Sequence, residues 1–214
     1  NDAGEVAGFE REFGDELCKR ASLTCEWTTN DWDSIIPNLQ SGNYDVIVAG
    51  MSITPERQEI VDFSQPYLQP TPSAYLALSK DADLMSGPVA AQTSTVQAAF
   101  VAENGMQVVE FATPEETVAA VKNGEAVAVL ADSDYLKPIA DESNGELVLL
   151  DKTESIGGGV GMAFRKSDKE LHDKLDAAIK SMKCDGTLDA MIQKPEYFGP
   201  NSPLAWGDRG KEGC

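Results

Sequence analysis

The sequence predicts an α/β fold whose sheets are mostly parallel. Helical and strand-like hydrophobic patterns alternate along the chain, which is typical of strands joined by crossover helices. The longest apolar runs, Val46 to Ala49 and Val127 to Ala131, have the length of strands that are buried on both faces. No apolar run approaches the roughly 20 residues that are needed to cross a bilayer. A chain of 214 residues, 42% of them hydrophobic, is long enough for one large domain or for two lobes.

The first predicted element is an amphipathic helix. Phe9, Phe13 and Leu17 recur at helical spacing, which indicates one buried face. Thr24 to Trp27 is expected to form a short strand after this helix. The opening residues, Asn1 to Gly4, are turn-like, and this suggests that an upstream segment such as a signal peptide was removed or is not included.

A second helix is predicted over Ser34 to Gln40 and should end at Ser41-Gly42-Asn43. Pro37 is tolerated there because it stands near the first turn. The inward-facing side chains of this helix would be Ile35, Ile36 and Leu39. The next segment, Tyr44 to Met51, is apolar on both faces and is therefore expected to be a central parallel strand.

Two helix starts are predicted in the second half of the chain. Thr113-Pro114-Glu115-Glu116 has the pattern of a capping box with proline at the first helical position. Gly124 should end that helix, and Ala126 to Ala131 should follow as another buried strand. Ser167-Asp168-Lys169-Glu170 has the pattern of a second capping box, opening a long helix through Met182.

The chain is strongly acidic. It has 36 acidic and 17 basic residues, which gives a net charge of −19. Nucleic acids and anionic membrane surfaces would be repelled by such a field, so neither is an expected partner. The charge is expected to serve solubility and does not identify a ligand.

Four cysteines allow three complete pairings. None has the spacing or the neighbouring histidine of a zinc site, and the single histidine, His172, is expected to be solvated on a charged helix. The simplest assignment is two disulfides, Cys18–Cys25 and Cys184–Cys214, which would indicate an oxidising compartment. Free thiols in a cytosolic protein are the alternative.

Polar residues follow the predicted strands at their carboxyl ends, where open α/β sheets bind ligands. After the strand at 44–51, the pair Thr54-Pro55 resembles an N-cap and a first helical residue, which places Arg57 in the first turn. The helix dipole disfavours a cation there, so Arg57 is expected to bind an anion such as a carboxylate. A local salt bridge to Glu56 or Asp62 is the alternative.

Two further strand ends carry polar groups. After a predicted strand at 87–91, Gln92-Thr93-Ser94-Thr95 leads into a helix from Val96 to Ala102, whose first N–H groups suit a carboxylate. Asp132 follows the strand at 126–131 and suits an ammonium group. Plain N-capping is the alternative for both sites. Together, the three strand ends complement the zwitterion of an α-amino acid.

Two motifs are specific, namely Ser52-Ile53-Thr54-Pro55-Glu56-Arg57 and Asp62-Phe63-Ser64-x-Pro66-Tyr67. Further markers are Gly8-Phe9, Trp32-Asp33-Ser34-Ile35-Ile36-Pro37-Asn38-Leu39, Gly42-x-Tyr44-Asp45, Gly159-Val160-Gly161, Arg165-Lys166 and Asp185-Gly186-Thr187-Leu188. From Gly4 to about Ile192 the chain thereby resembles the polar amino-acid-binding proteins of bacterial ABC importers, the family of histidine, lysine-arginine-ornithine, glutamine and opine receptors. The spacing of Cys18 and Cys25 also resembles the disulfide of the histidine-type receptors.

The resemblance implies a type II periplasmic-binding-protein clamshell, in which each of two lobes is a mostly parallel sheet flanked by helices. Lobe 1 would comprise residues 1–70 and 161–214, and lobe 2 would comprise residues 71–160. The extended segments Pro70 to Leu78 and Val160 to Arg165 are the candidate crossings. Family members begin with a strand and an aromatic-rich turn that nothing here matches, so lobe 1 is expected to lack its first strand.

The resemblance also implies roles for individual residues. Arg57 would bind the carboxylate of the ligand, aided by the backbone N–H of Thr95. Ser52 and the carbonyl of Gly50 would contact the α-amino group, which Asp132 of the other lobe would complete. The full set of implied ligand-binding residues is Trp32, Gly50, Met51, Ser52, Arg57, Ser94, Thr95 and Asp132.

Two residues and one segment depart from the family pattern or allow another role. Trp32 would line the pocket for the ligand side chain unless it is a core tryptophan. Thr93 replaces a glycine that is common in the family's anion-binding loop. The segment Pro200 to Cys214 matches nothing in the family.

The expected function is that of an exported periplasmic binding protein that closes around an amino acid of basic, polar or opine-like type and delivers it to a membrane ABC permease. We expect a monomer without catalytic residues, cofactor or metal. A ligand-sensing domain of a receptor is the first alternative. A dehydratase on the same fold is the second, although it would need a tuned acid–base group that the motifs do not supply.

Overall fold

The computed structural model describes residues 3–214, so Asn1 and Asp2 of the predicted opening turn lie outside the described residues. The chain divides into two compact units, one comprising the chain up to Pro70 together with Gly158–Cys214, the other Thr71–Gly157. The α-helices are α1 Phe9–Arg20, α2 Ile35–Gln40, α3 Pro55–Ile60, α4 Val96–Glu103, α5 Pro114–Lys122, α6 Ser133–Glu142, α7 Lys169–Cys184 and α8 Thr187–Ile192. The strands are β1 Val46–Ile47, β2 Asp62–Phe63, β3 Ser73–Ala77, β4 Val89–Gln92, β5 Val108–Phe111, β6 Ala128–Asp132, β7 Val148–Glu154 and β8 Ala163–Phe164. Two 3-10 helices cover Trp32–Ser34 and Gly207–Lys211. No described helix has the length and apolar character that a membrane span requires.

The predicted amphipathic helix is confirmed as α1. Its apolar face, with Phe9, Phe13 and Leu17, is buried in the first unit. This face packs with Tyr67 and with apolar side chains of α7 and α8. Helices from both ends of the described chain therefore build one shared core.

The sheet of the first unit is small and antiparallel. Strand β8 lies between β1 and β2 and pairs antiparallel with each. The expectation of a long, central parallel strand over Tyr44 to Met51 is therefore wrong. Only Val46–Ile47 forms a ladder, because its one partner among the described strands is two residues long.

The predicted strand at Thr24 to Trp27 is also wrong. Residues 23–31 have no regular secondary structure, although Cys25 is bonded to Cys18. A strand exists only where a neighbouring strand satisfies its backbone, and no described strand pairs with this segment. Local composition cannot reveal that missing partner.

The return of the chain into the first unit occurs three residues before the predicted boundary. Gly158 donates its N–H to the carbonyl of Ile53, and Val160 exchanges backbone hydrogen bonds with Leu68. Gly159 approaches Pro66 so closely that a Cβ would meet the proline ring at 2.6 Å. Residues 158–160, which the sequence placed in lobe 2, thus pack within the first unit.

The second unit is a three-layer α/β/α structure. Its sheet has the strand order β5-β4-β6-β3-β7. One face packs against α5 and α6 through side chains such as Val121 and Leu136, and the other packs against α4 through Val101. Strand β3 is buried along its whole length because both faces are covered.

The strands of this sheet are only partly parallel, whereas the sequence predicted a mostly parallel sheet. Strand β4 pairs parallel with β5 and β6, whereas β3 pairs antiparallel with β6 and β7. Four strands therefore share one direction, and β3, through which the chain enters the unit, runs against them. Helices α4, α5 and α6 connect the four strands that share a direction. Half of the ladders are nevertheless antiparallel, because β3 lies between β6 and β7.

One of the two predicted capping boxes forms. Thr113 accepts from the N–H of Glu116, whose side chain accepts from the N–H of Thr113. The box predicted at Ser167 is wrong, because Asp168 is the N-cap and makes no side-chain capping bond. The Asp168 carboxylate instead pairs with Arg165 at 2.6 Å.

Both predicted disulfides are present, and the second fastens the C-terminal segment. Cys184 of α7 is bonded to Cys214. Within this segment, the indole N–H of Trp206 donates to the carbonyl of Tyr67 at 2.9 Å. The ammonium group of Lys183 lies 3.6 Å from the centre of the Trp206 ring. Residues 200–214, for which the family motifs gave no expectation, therefore form part of the first unit.

The expectation of a solvated His172 is wrong. Its side chain is only 21% exposed and contacts the carbonyl of Phe63 at 3.0 Å through Nε2. Burial lowers the pKa of His172, but hydrogen bonds to Asp173 and Phe63 outweigh burial and leave it raised. The charged residues around His172 in the sequence concealed that α7 turns this position toward β2.

Candidate ligand-binding residues

Helix α3 places Arg57 as the sequence predicts. Thr54 is the N-cap, Pro55 is the first helical residue, and the Thr54 hydroxyl accepts from the N–H of Arg57 at 3.2 Å. The proline fixes a helical φ, and the cap satisfies an amide that has no partner inside the helix. The first turn is therefore rigid, and Arg57 extends from a defined position.

The guanidinium of Arg57 is partly shielded from solvent. It donates to the carbonyl of Ser52 at 2.8 Å, and its central carbon lies 5.7 Å from the centre of the Trp32 ring. Burial lowers the pKa of Arg57, against the opposing effect of the Glu56 charge. Three of the predicted residues, Trp32, Ser52 and Arg57, are thus in contact within the first unit.

The segment Gly50 to Ser52 is held from several directions. Gly50 has a φ of +60°, a conformation that glycine adopts at little cost. The carbonyl of Met51 accepts from the N–H of Gly161, and Ser52 forms a β-bridge with Val160. The Met51 side chain is 1% exposed and packs in the core, so it offers no surface to a ligand.

Sequence reasoning missed Glu10 beside this segment. Its Oε1 accepts from the N–H of Gly50 at 2.6 Å and from the hydroxyl of Tyr67. Loss of solvent raises the pKa of Glu10, although the hydrogen bonds from Tyr67 and Gly50 oppose this. A signal was available, since Glu10 stands at helical spacing with Phe13 and Leu17 on the buried face of α1.

In the second unit, the turn between β4 and α4 contains the predicted Ser94 and Thr95. Thr95 is the N-cap, with its hydroxyl accepting from the N–H of Ala98 and donating to the carbonyl of Gln92 at 2.6 Å. Ser94 has a φ of +59°, which is uncommon for a residue other than glycine. The Thr95 side chain therefore makes the capping bond that was the alternative to ligand binding, while its backbone role stays a prediction.

Asp132 ends β6 and stands at the N-cap position of α6, where its side chain makes no capping bond. Its Oδ1 accepts from the side-chain amide of Gln97 at 2.8 Å, and the same amide nitrogen donates to the hydroxyl of Ser73 at 3.1 Å. Solvent reaches Asp132, yet surrounding protein partly desolvates the carboxyl group and raises its pKa, and the charge of Asp134 adds to the shift.

Gln97 is the second residue that sequence reasoning missed. It is 7% exposed and lies in α4, two positions after Thr95. Gln97 links the two predicted contact positions of this unit. It belongs to the helix that Thr95 caps, and its side-chain amide donates to the Asp132 carboxylate. A polar side chain inside an apolar helix was the available signal.

Among residues 3–214, no group of three or more His, Cys, Asp or Glu side chains has an arrangement that could hold a metal ion. The candidate ligand contacts are the shielded guanidinium of Arg57 and the segment Gly50 to Ser52 in the first unit, and the desolvated carboxylate of Asp132 in the second.

Known proteins resemble this chain in sequence. The sequence profile of the bacterial extracellular solute-binding proteins, family 3, matches residues 1–200. ABC transporter arginine-binding protein 1 of Escherichia coli (strain K12) is 31% identical over 198 residues, which cover 86% of this chain and 79% of that protein.

Solved structures agree with this match. A periplasmic His/Glu/Gln/Arg/opine family-binding protein from Silicibacter pomeroyi, in complex with lysine, is 64% identical with a TM-score of 0.92, covering 95% of this chain and 92% of that one. An ancestral amino acid-binding protein, a precursor of cyclohexadienyl dehydratase, is 30% identical with a TM-score of 0.78, covering 92% and 88%.

Fold and comparisons together define a solute-binding protein. The chain belongs to the bacterial extracellular solute-binding proteins, family 3. The predicted family resemblance, the type II periplasmic-binding-protein fold and the assignment to binding proteins of ABC transport are thereby confirmed. These relatives are binding proteins, which favours transport over the dehydratase alternative.

Proposed function

We propose that the protein binds a basic amino acid, with L-lysine as the first candidate. The similarity to the lysine complex carries this proposal, because 64% identity extends over 95% of the chain. The arginine-binding relative supports the same class of ligand.

The proposed contacts follow the charges of the ligand. Arg57 binds the α-carboxylate, with help from the backbone N–H groups of Ser94 and Thr95. Asp132 and the carbonyl of Gly50, together with Ser52, bind the α-ammonium group. Trp32 lies against the ligand side chain, a role that fits its contact with the Arg57 guanidinium.

Arg57→Ala is the direct test. We expect calorimetry to show a loss of L-lysine affinity of about a hundredfold or more, since a paired and partly desolvated charge is removed. The fold should persist, because the Arg57 backbone and its cap are unchanged.

Arg11→Ala is the matched control for this test. Arg11 also lies over a tryptophan, Trp27, and belongs to the same unit, but it pairs with Asp15 on the exposed surface of α1. Its replacement should leave the affinity unchanged. Equal affinity of the Arg57 and Arg11 variants would contradict the assignment.

We also propose that the protein is a periplasmic monomer that delivers its ligand to an ABC permease and catalyses no reaction. Its relatives' periplasmic and ABC-transporter descriptions support the compartment and the partner. Light scattering should give a mass near 22.9 kDa. Incubation with prephenate or arogenate should leave both compounds intact, and turnover of either would favour the dehydratase alternative.

A further inference from the structure

Glu10 lies behind the segment that the proposed function assigns to the ligand's ammonium group. It is the second residue of α1, on the face that carries Phe13 and Leu17. Its carboxylate oxygen Oε1 accepts two hydrogen bonds, from the N–H of Gly50 at 2.6 Å and from the Tyr67 hydroxyl. One carboxylate oxygen thus connects α1, the segment Gly50 to Ser52 and Tyr67.

Tyr67 is a fixed anchor for this carboxylate. Its side chain is fully buried, and its ring stacks on Phe13 with centroids 4.5 Å apart. Its carbonyl accepts from the indole of Trp206, and its N–H donates to the carbonyl of Val160. Because Tyr67 has little freedom, the carboxylate that its hydroxyl holds has little freedom either.

The carboxylate in turn restricts Gly50. Glycine is the residue with the greatest backbone freedom, and Gly50 adopts a φ of +60° on the exposed side of the segment. The neighbouring carbonyls of Met51 and Ser52 are held by Gly161 and Arg57. Glu10 supplies the corresponding restraint at the Gly50 N–H, so each of the three residues has a backbone group that is held in place.

We propose that Glu10 is a positioning residue for ligand binding. Its carboxylate fixes the Gly50 N–H and Gly161 fixes the next carbonyl, that of Met51, so that the Gly50 carbonyl between them is presented to the ligand's ammonium group. This inference rests on the proposed function, which assigns that contact to Gly50. A carboxyl group in a desolvated place costs stability, and such a cost is typical of groups that serve function.

The test compares Glu10→Gln with Glu10→Met. The glutamine oxygen accepts both hydrogen bonds without a charge, whereas methionine fills the same space and accepts neither. Calorimetry with L-lysine should show an affinity within about threefold of the wild type for Glu10→Gln, and a loss of about tenfold or more for Glu10→Met.

Glu12→Met is the matched control. Glu12 is also on α1 and also accepts from a tyrosine hydroxyl, that of Tyr197, but it pairs with Lys194 and does not contact Gly50. Its replacement should leave L-lysine affinity unchanged. If Glu10→Met does not fold, Tyr67→Phe replaces it, with an expected loss of about threefold because the carboxylate loses its anchor.

The other possible results contradict either the inference or the proposed function. Wild-type affinity in Glu10→Met or Tyr67→Phe overturns the inference. Equal losses in Glu10→Gln and Glu10→Met also overturn it, since they assign the carboxylate's charge, and not its hydrogen bonds, to binding. Failure of the wild type to bind any amino acid overturns the proposed function and this inference with it, whereas intact wild-type binding isolates the role of Glu10.

Discussion

Asp132 combines a cost in stability with a proposed role in binding. Desolvation, with the Asp134 charge, raises its pKa in the folded protein above that of the unfolded chain. A carboxyl group with a raised folded pKa binds its proton more tightly in the native state. Its stabilising contribution is therefore present at low pH and is lost as the pH rises through the folded pKa.

Replacing Asp132 by Asn should separate the two effects. At pH 7, we expect a higher Tm for the ligand-free protein, because the desolvated charge is gone while an oxygen remains for Gln97. Calorimetry should show L-lysine binding weakened by more than about 2 kcal/mol, the usual result of removing one partner of an enclosed charge pair. The gain in Tm should shrink as the pH is lowered toward the pKa of Asp132.

Asp141→Asn is the control for this prediction. Asp141 is exposed and pairs with Lys137 one turn away on α6, so its replacement should change neither Tm nor affinity measurably. An affinity loss below about 0.5 kcal/mol for Asp132→Asn would count against its contact with the ligand.

At the residue scale, position in the chain selected candidates for the proposed site. The strand-end rule selected Arg57 and Asp132, whose environments the structure shows to be desolvated. It missed Glu10 and Gln97, because both make their hydrogen bonds to partners distant in sequence. The hydrogen-bond partners of Glu10 are Gly50 and Tyr67, which lie 40 and 57 positions away in the sequence.

At the element scale, two helix starts with similar sequences differ in what they contribute. Thr113 forms a reciprocal capping box, whereas Ser167 donates to the Asp168 carboxylate at 3.3 Å and caps nothing. The competing ion pair between Asp168 and Arg165 explains the difference. Sequence pattern alone assigns both starts the same role.

This difference predicts unequal effects of alanine. Thr113→Ala should lower the free energy of unfolding by about 1 kcal/mol, because the N–H of Glu116 loses its acceptor. Ser167→Ala should change it by less than about 0.5 kcal/mol, as surface substitutions usually do. Urea denaturation of the two variants measures both values, and equal losses would contradict the observed capping geometry.

Elements that depend on local pattern were predictable, and elements that depend on partners were not. The face of α1 follows from three spaced apolar residues, and the stop at Gly124 follows from its φ of +74°. The direction of β3 and the missing strand at Thr24 to Trp27 are set by neighbouring strands. No window of sequence contains those neighbours.

At the scale of the whole molecule, the excess of acid is a destabilising factor. A net charge of −19 is spread over 214 residues, and repulsion among like charges opposes a compact state. Added salt screens this repulsion, with a Debye length of about 10 Å at 0.1 M. The folded state should therefore gain stability with ionic strength.

We expect the Tm at pH 7 to rise when KCl is raised from about 0.02 M to about 0.5 M. Differential scanning calorimetry of the ligand-free protein measures the change. Near pH 4.3, where the sequence has no net charge, the same addition should have little effect. A Tm that falls with salt at pH 7 would show that attractive ion pairs outweigh the repulsion.

The division into two units was predictable through family motifs, with one difference at residues 158–160. Glycine and valine there suit either unit by composition, and only the hydrogen bonds to Ile53 and Leu68 assign them to the first. The motifs quoted for the family ended before residues 200–214, so they did not predict how this segment packs. Trp206 and Cys214 hold this segment in place, and their partners, the carbonyl of Tyr67 and the sulfur of Cys184, lie elsewhere in the first unit.

The interrupted course of the first unit determines the order in which the protein can mature. Thr71–Gly157 is one uninterrupted stretch, so a growing chain has all the strands of that unit before Gly158 is added. Helix α1 must wait for α7 and α8, and the Cys184–Cys214 bond can form only after residue 214 has been joined. During synthesis, all the residues of one unit are therefore present while the aromatic face of α1 still lacks the helices that cover it.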